Sequence, residues 1–357
     1  MKSNRFCLFA ALAAVVISLP SCSSDEETAE DNTSPAELKI MASMAPSIEL
    51  TTRAGHDVQS TTLNSYTNIG IYVWYSGQTT VNASPVYNGY ANDKVASATA
   101  DATTNNFPYT LTPTTTPMYF PVDNHDVDVY LYTPYASSFV ATNTMVTPDF
   151  TVQDDQSTDV NYIASDFLYG KATANYSTKT AQVTMYHALS KIILKVVPAS
   201  GVTFSNLTEL KLTGVNRTTK IRMANDPSSG MSVGSNTTNH VDVATAVTTG
   251  TNPKDVIVTK SFITGTTDVN GVAAIIPPQA LTNLGVSCTI DGKTATANLS
   301  GLTYIVSGTP TAISNFEPGK VYDITLNVKT GGLDVKLIAI QDWVAGNGIG
   351  SSLDLNF

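Results

Sequence analysis

The sequence predicts an all-β protein built from two tandem β-sandwich domains. Threonine accounts for 51 of the 357 residues, and 16 tyrosines outnumber 2 tryptophans, a composition that suits pleated, half-exposed strands. Short segments with alternating apolar residues recur between turn-rich stretches, whereas no segment of about 12 residues or more holds a helical period. We therefore expect a change of domain near Pro198–Gly201, with domains at 54–198 and 199–357.

The strand candidates follow one another along both halves of the chain. In Asn68–Tyr75, for example, Ile69, Ile71 and Val73 alternate with other residues and would face one side of a sheet. The candidates up to residue 198 are Leu38–Met44, Ile48–Leu50, Asn68–Tyr75, Val127–Tyr132, Ala181–Met185 and Lys191–Val197. Those after it are Leu207–Val215, Asp255–Phe262, Gly271–Ile276, Val286–Asp291, Lys293–Leu299, Val321–Val328 and Leu333–Ile340.

Charge and composition exclude two classes of protein. Nineteen basic residues against 29 acidic ones give a net charge of −10, which argues against a nucleic-acid binder because phosphate recognition needs a basic surface. An apolar fraction of 42% argues against a wholly disordered chain.

The N-terminus has the pattern of an export signal at residues 1–21. Lys2 and Arg5 precede the apolar run Phe6–Leu19, which is too short to span a bilayer as a stable helix. Cys22 follows small residues as in a bacterial lipobox, although Pro20 is less usual there, and an acidic tether comes next. We predict lipidation of Cys22; ordinary signal cleavage beside an incidental cysteine is the alternative.

The mature chain would then keep one free thiol. Cys7 leaves with the signal and Cys22 takes the lipid, so Cys288 has no cysteine with which to pair. A nucleophilic Cys288 would need a nearby histidine or another cation. Its apolar surroundings favour a small buried hydrophobic residue instead.

The sequence contains no recognisable catalytic or metal-binding motif, so we predict no enzyme, no cofactor and no metal site. The four histidines form no metal-like pair, and nucleophile-elbow, P-loop and dinucleotide motifs are missing from the sequence. His187 is predicted to be a structural residue, hydrogen-bonded where a strand meets a turn. A calcium site at Asp123, Asn124, Asp126 and Asp128 is the weaker alternative to a turn followed by a solvated strand edge.

Several ordered motifs resemble those of the fimbrillin family of Bacteroidota, the subunits of type V pili. The motifs that carry this resemblance are the lipobox at Cys22, Tyr119–Pro121 with Val127–Tyr135, Asp166–Gly170, Val183–Ile193, Phe316–Tyr322, and Ile338–Trp343 with Gly346. Each motif is weak by itself, but their order behind a lipobox is fairly specific. The resemblance implies transthyretin-like sandwiches, and the motifs themselves would build the fold rather than perform chemistry.

The resemblance also implies how the precursor matures. Family members are exported as outer-membrane lipoproteins, and an arginine-directed protease removes the first strand. A strand from another subunit then fills the groove. Here the segment 22–53 would be the tether and propeptide strand, with cleavage between Arg53 and Ala54. The alternative is that Arg53 is an ordinary surface residue.

The C-terminus contains a candidate donor strand at 349–357. A glycine-rich stretch precedes it, and Leu353, Leu355 and Phe357 would share one face. The alternative is a last strand that pairs within its own domain.

These features predict a structural subunit of cell-surface fimbriae that supports adhesion and has other fimbrial subunits as partners. The precursor would be attached to the outer membrane through its lipid, and host or bacterial surface ligands are further candidate partners. One alternative is a tip or minor adhesin whose binding site lies in Val81–Thr116. Another is an uncleaved glycan-binding lipoprotein that uses the tyrosines Tyr87, Tyr90 and Tyr109.

Overall fold

Strands dominate both halves of the computed structural model. It describes residues 35–44, 68–77, 90–100, 108–139, 145–234, 239–242, 244, 254–259, 263–264 and 269–343. The described residues from Ala36 onward belong to one compact unit. The predicted signal, Ile48–Leu50, the cleavage position and the donor strand lie outside the described residues.

Seven strands of the first half pair in a closed ring. The strands of this half are β1 (Lys39–Met44), β2 (Gly70–Tyr75), β3 (Asp93–Ala100), β4 (Tyr109–Pro113), β5 (Val127–Thr133), β6 (Phe150–Thr151), β7 (Leu168–Ala174) and β8 (Thr180–His187). The ring order is β1-β4-β3-β2-β5-β7-β8, and β8 pairs with β1 to close it. Two residue pairs join β2 to β3, and two join β7 to β8. Because these two contacts are so short, the barrel resembles a sandwich whose two sheets are connected at both edges.

The interior of the barrel is filled by the inward side chains of its strands. They alternate along each strand, as in β4, where Tyr109, Leu111 and Pro113 are buried and the threonines between them are exposed. Val73, Val129 and Val183 come from β2, β5 and β8 and join the same core.

The second half forms two facing sheets. Its strands are β9 (Ser190–Pro198), β10 (Asn206–Val215), β11 (Thr218–Thr219), β12 (Lys254–Thr259), β13 (Ile263–Thr264), β14 (Val269–Ile276), β15 (Gln279–Ala280), β16 (Gly285–Ile290), β17 (Lys293–Asn298), β18 (Thr303–Val306), β19 (Thr309–Ala312), β20 (Asn315–Phe316), β21 (Lys320–Lys329) and β22 (Gly332–Asp342). One sheet has the order β12-β10-β16-β17, with β13 also on β10, and the other has the order β14-β9-β21-β22. A second apolar core lies between them and includes Tyr322, Ile324, Leu326 and Val328, as their alternation predicted.

A third core joins the barrel to the sandwich. Tyr72, Tyr130 and Tyr132, on the outer face of the barrel, pack in one cluster with Ile193 and Trp343 of the second half. The single α-helix of the described residues, α1 (Asp159–Ala164), contributes the buried Tyr162 to this cluster. Trp343 therefore packs at the contact between the two halves and lies outside the core of the sandwich.

The all-β prediction is confirmed, but three details differ from what the sequence predicts. The short helix α1 was not expected, and the barrel strands β3 and β4 lie within Val81–Thr116, the segment suggested as the binding site of a tip or minor adhesin. The change from barrel to sandwich occurs between His187 and Ser190, before the predicted boundary at Pro198–Gly201. The division into two domains remains a prediction. Within the described part of the chain, no helix has the length and apolarity needed to cross a membrane.

Candidate functional site

The first strand is an integral part of the barrel. β1 runs parallel to β8 over six paired residues, from Lys39 opposite Thr180 to Met44 opposite Met185. On its other side it runs antiparallel to β4, with Ile40 opposite Leu111. A strand that is paired on both sides leaves two unpaired edges when it is withdrawn.

Backbone hydrogen bonds extend this pairing to residues before β1. Leu38 N donates to Met118 O at 2.8 Å, and Phe120 N donates to Ala36 O at 2.8 Å. On the β8 side, Lys39 N donates to Lys179 O at 2.9 Å. The groove that holds the first strand therefore extends from residue 36 to residue 44.

The side chains of this segment anchor it in the barrel core. Leu38, Ile40 and Ala42 point inward and are buried against the first core, whereas Glu37 and Lys39, on either side of Leu38, are exposed. Full burial of a leucine or isoleucine side chain stabilises a fold by about 1.5–3 kcal/mol, so these two larger side chains contribute about 3–6 kcal/mol. Removal of the segment would expose an apolar slot that another apolar strand could fill.

The far end of the strand is more open. Pairing with β4 stops at Ala42, and beyond it Ser43 Oγ lies 3.1 Å from Thr184 Oγ1 of β8. A depression of about 310 Å³ lies here, lined by Met41, Ser43, Pro108, Gln182, Val183 and Thr184. The end of β1 that leads toward Arg53 is therefore held on one side only in the described residues.

A second feature lies where the chain leaves the sandwich. Trp343 follows β22 and is the last described residue before the predicted donor strand. Its indole ring stacks on the imidazole of His187, with ring centroids 3.8 Å apart and planes inclined by 1°. His187 Nδ1 lies 3.0 Å from Asp166 Oδ1, and because a carboxylate only accepts, the imidazole donates this bond.

This junction brings together four of the motifs noted in the sequence. Asp166 begins one motif, His187 lies in the second, Gly319 in the third, and Trp343 ends the fourth. Trp343 N donates to Gly319 O at 2.7 Å, and Gly319 N donates to Leu189 O at 2.8 Å. His187 is thus a structural residue at a strand–turn junction, as predicted. The pairing with Asp166 and the stack on Trp343 were missed, although the motifs pointed to these residues.

Three predicted site features lie outside the described residues. They are the lipidation site Cys22, the cleavage position Arg53–Ala54, and the donor residues Leu353, Leu355 and Phe357. β1 ends nine residues before Arg53, and Trp343 lies ten residues before Leu353.

The predicted tyrosine surface is not present as expected. Tyr109 belongs to β4 and is buried in the barrel core. Tyr90 packs against the same core, and its hydroxyl accepts a hydrogen bond from Tyr119 N at 3.0 Å. Tyr109 is therefore a strand residue of the barrel interior, whereas Tyr90 lies outside any strand but packs its side chain on the core. Tyr87 lies outside the described residues.

Two further candidates have structural surroundings. Cys288 is fully buried, and loss of hydration raises the pKa of its thiol to about 11, as suits a buried hydrophobic residue. Asp128 is buried rather than solvated: it lies 3.1 Å from Lys171 Nζ and accepts a hydrogen bond from Thr173 Oγ1 at 2.6 Å. Among the described residues, no group of three or more potential ligands surrounds a metal position.

Comparisons with known proteins identify relatives of this chain. A family model described as fimbrillin-like matches residues 52–343. A proposed cell adhesion protein from Bacteroides uniformis is similar in structure, with a TM-score of 0.55, 16% identity, and coverage of 87% of this chain and 99% of its own. A second proposed cell adhesion protein, from Bacteroides ovatus, has a TM-score of 0.55 and 14% identity, with 88% and 100% coverage. At such identities the likeness shows the fold alone. The comparison with curated proteins gave no match.

Proposed function

The chain belongs to the fimbrillin-like family, which has a fimbrial or adhesive role at the cell surface, and we propose that it is a structural fimbrial subunit that polymerises by β-strand donation. The family is of a structural rather than an enzymatic type. In this proposal the precursor is exported as a lipoprotein on Cys22, attached to the outer membrane and cut between Arg53 and Ala54. The partners are other fimbrial subunits, and the polymer supports adhesion.

The observation that carries the proposal is the position of β1. This strand lies in the barrel between two hydrogen-bonded neighbours, yet it precedes the predicted cleavage position. Cleavage would make residues 22–53 a separate peptide, held only by non-covalent contacts. An incoming strand with alternating apolar residues could then replace Leu38, Ile40 and Ala42 in the core.

The limits of the family match support the same proposal. The matched region begins at Thr52, one residue before Arg53, and ends at Trp343, just before the predicted donor segment. The exchanged strands would therefore lie at the two ends of the body that the family shares. Leu353, Leu355 and Phe357 have the spacing needed to enter an apolar slot along one face.

A tip or minor adhesin of the same family is the second candidate, because a subunit at the end of a fimbria accepts a strand without donating one. The alternative of an uncleaved glycan-binding lipoprotein is weakened, since two of its three tyrosines serve the barrel interior. The same experiment separates these candidates.

The experiment is N-terminal sequencing of protein sheared from the surface of a bacterium that produces lipoproteins and an arginine-directed protease. An unheated gel is run in parallel. We expect the N-terminal sequence to begin at Ala54. On the unheated gel we expect heat-labile ladders, that is, a series of high-mass bands that disappear when the sample is heated. An Arg53→Ala variant should keep the longer N-terminus and form no ladders, whereas a Thr52→Ala control should behave like the wild type.

Deletion of Ser351–Phe357 distinguishes a stalk subunit from a tip subunit, because only a stalk subunit has to donate this strand. Loss of ladders after this deletion indicates a stalk subunit. A wild-type protein that remains a lipidated monomer starting at Cys22 would contradict the proposal.

A further inference from the structure

We propose that the stack of Trp343 on His187 is a mechanical latch, that is, a contact that resists a pulling force. It connects the start of the C-terminal segment, which follows Trp343, to β8, the strand that flanks β1 on one side of its groove. The use of this latch in a fimbria rests on the proposed function, but its existence can be tested on the single chain. The latch comprises Asp166, His187, Lys191, Gly319 and Trp343.

The stack of Trp343 on His187 is rigid. Trp343 and His187 are 3% and 2% exposed, so water cannot separate the two parallel rings easily. Asp166 fixes the imidazole through its hydrogen bond to Nδ1. Lys191 Nζ lies 5.6 Å from the centroid of an indole ring, within range of a cation–π interaction. The indole is thus held by an aromatic ring and by a cation.

Hydrogen bonds also attach the backbone of Trp343 close to the stacked rings. Trp343 N donates to Gly319 O, and Gly319 N in turn donates to Leu189 O, two residues after His187. Gly319 has a φ of +65°, and a Cβ on it would meet the side chain of Met231 at 3.3 Å. Glycine tolerates this left-handed backbone conformation, and the two hydrogen bonds at Gly319 hold the end of β22 beside the end of β8.

β8 connects the groove that holds β1 to the latch. Its residues Thr180–Met185 form one wall of the groove that holds β1, and its last residue is His187. A single strand therefore runs from the groove to the latch. In a strand-exchanged fimbria, one subunit would be gripped at this groove and would pull through the segment that follows Trp343.

The latch determines how that tension enters the fold. β22 pairs with β21 in antiparallel register, beginning at Lys320 opposite Asp342. Without the latch, tension at Trp343 would peel β22 from β21, one pair at a time. With it, the pull passes from Trp343 through His187 into β8, a strand that pairs with β7 at Tyr186 and His187 and with β1 over Thr180–Met185.

Single-molecule force spectroscopy tests this inference. One handle is attached to a cysteine placed at the exposed Thr178, just before β8, and the other to the C-terminus. Cys7 and Cys22 are replaced by serine, and Cys288 is buried. We expect His187→Ala and Trp343→Leu to detach the C-terminal segment about tenfold faster than the wild type at one constant force. Trp343→Phe, which keeps an aromatic stack, should change the rate less.

A second pair of handles supplies the control. A pull between Thr178 and the exposed Lys293, at the start of β17, does not pass through Trp343. We expect the two variants to leave this rate within about twofold of the wild type. Equal acceleration for both handle pairs would overturn the latch, because it would indicate general destabilisation. Unchanged detachment from the C-terminus would also overturn it. Neither measurement requires cleavage or polymerisation, so its failure leaves the proposed function standing.

Discussion

Gly170 lies where β7 passes close to the backbone of β8. A Cβ at this position would be 2.2 Å from the carbonyl oxygen of Thr184 and 2.8 Å from Val183 Cγ1. Both neighbours belong to the groove wall, so an added methyl group would push β8 away from β7. This contact explains why the motif Asp166–Gly170 ends in glycine.

We predict that Gly170→Ala lowers the free energy of unfolding by about 2–3 kcal/mol, because the clash is with backbone atoms that cannot rotate away. Urea denaturation followed by circular dichroism measures the change. Gly332→Ala is the matched control: it lies at the start of β22 with open space around it and should change stability by about 0.5 kcal/mol or less. Equal effects of the two substitutions would contradict the close approach.

The thiol of Cys288 gives a second prediction. With its pKa raised to about 11 by burial, about one thiol in a thousand is ionised at pH 8, against about one in ten at the ordinary value. We expect alkylation of the native chain at Cys288 to be at least about 100-fold slower than in 8 M urea, because only the thiolate reacts. Mass spectrometry of the peptide that contains Cys288 measures both rates. Comparable rates would show that the thiol is accessible in the folded protein.

The elements of this fold differ in how far the sequence predicts them. Alternation of apolar residues identified β1, β2, β5, β8 and the second-half strands of six residues or more, but not β4, β7 or the shorter strands. It missed β3, where alanine and threonine replace large apolar residues and only Val95 marks the buried side strongly. The helix α1 is too short to display a period. Strand propensity and periodicity are local, whereas these short elements depend on their neighbours.

The partners of β1 could not be predicted from local pattern either. Residues 39–44 pair with residues 180–185, which are remote in sequence, and the pairing is parallel. The alternation of residues 38–44 predicts a strand, but nothing in the spacing of residues indicates which strands flank it. The resemblance to a family implied that a groove exists, and the structure gives its walls as β4 and β8.

At the scale of this element, we predict that Ile40→Ala destabilises the uncleaved chain by about 2–5 kcal/mol. The side chain is 1% exposed and its truncation leaves a cavity in the barrel core. Thermal or urea unfolding of the full chain measures the loss. Lys39→Ala, whose side chain points outward from the same strand, should be nearly neutral. A neutral Ile40→Ala variant would mean that β1 does not anchor itself through the core.

At the scale of the whole molecule, three apolar cores stabilise the part of the chain that the structure describes. The first fills the barrel, the second fills the sandwich, and the third joins them. β1 contributes to the first core alone in the described residues, so its replacement need not disturb the sandwich or the junction. This separation is what a subunit needs if it is to exchange one strand and remain folded.

In the proposed mechanism, β1 must leave its groove before subunits can join. A reversible disulfide between β1 and β8 tests this requirement most directly. Ser43 and Thr184 are paired residues whose hydroxyl oxygens lie 3.1 Å apart, which suits a disulfide after substitution of both by cysteine. We predict that the oxidised Ser43→Cys/Thr184→Cys chain is still cut at Arg53 but forms no heat-labile ladder until a reductant is added. Each single-cysteine variant should polymerise like the wild type. Ladders that form at the wild-type rate while the disulfide is intact would contradict strand replacement in this groove.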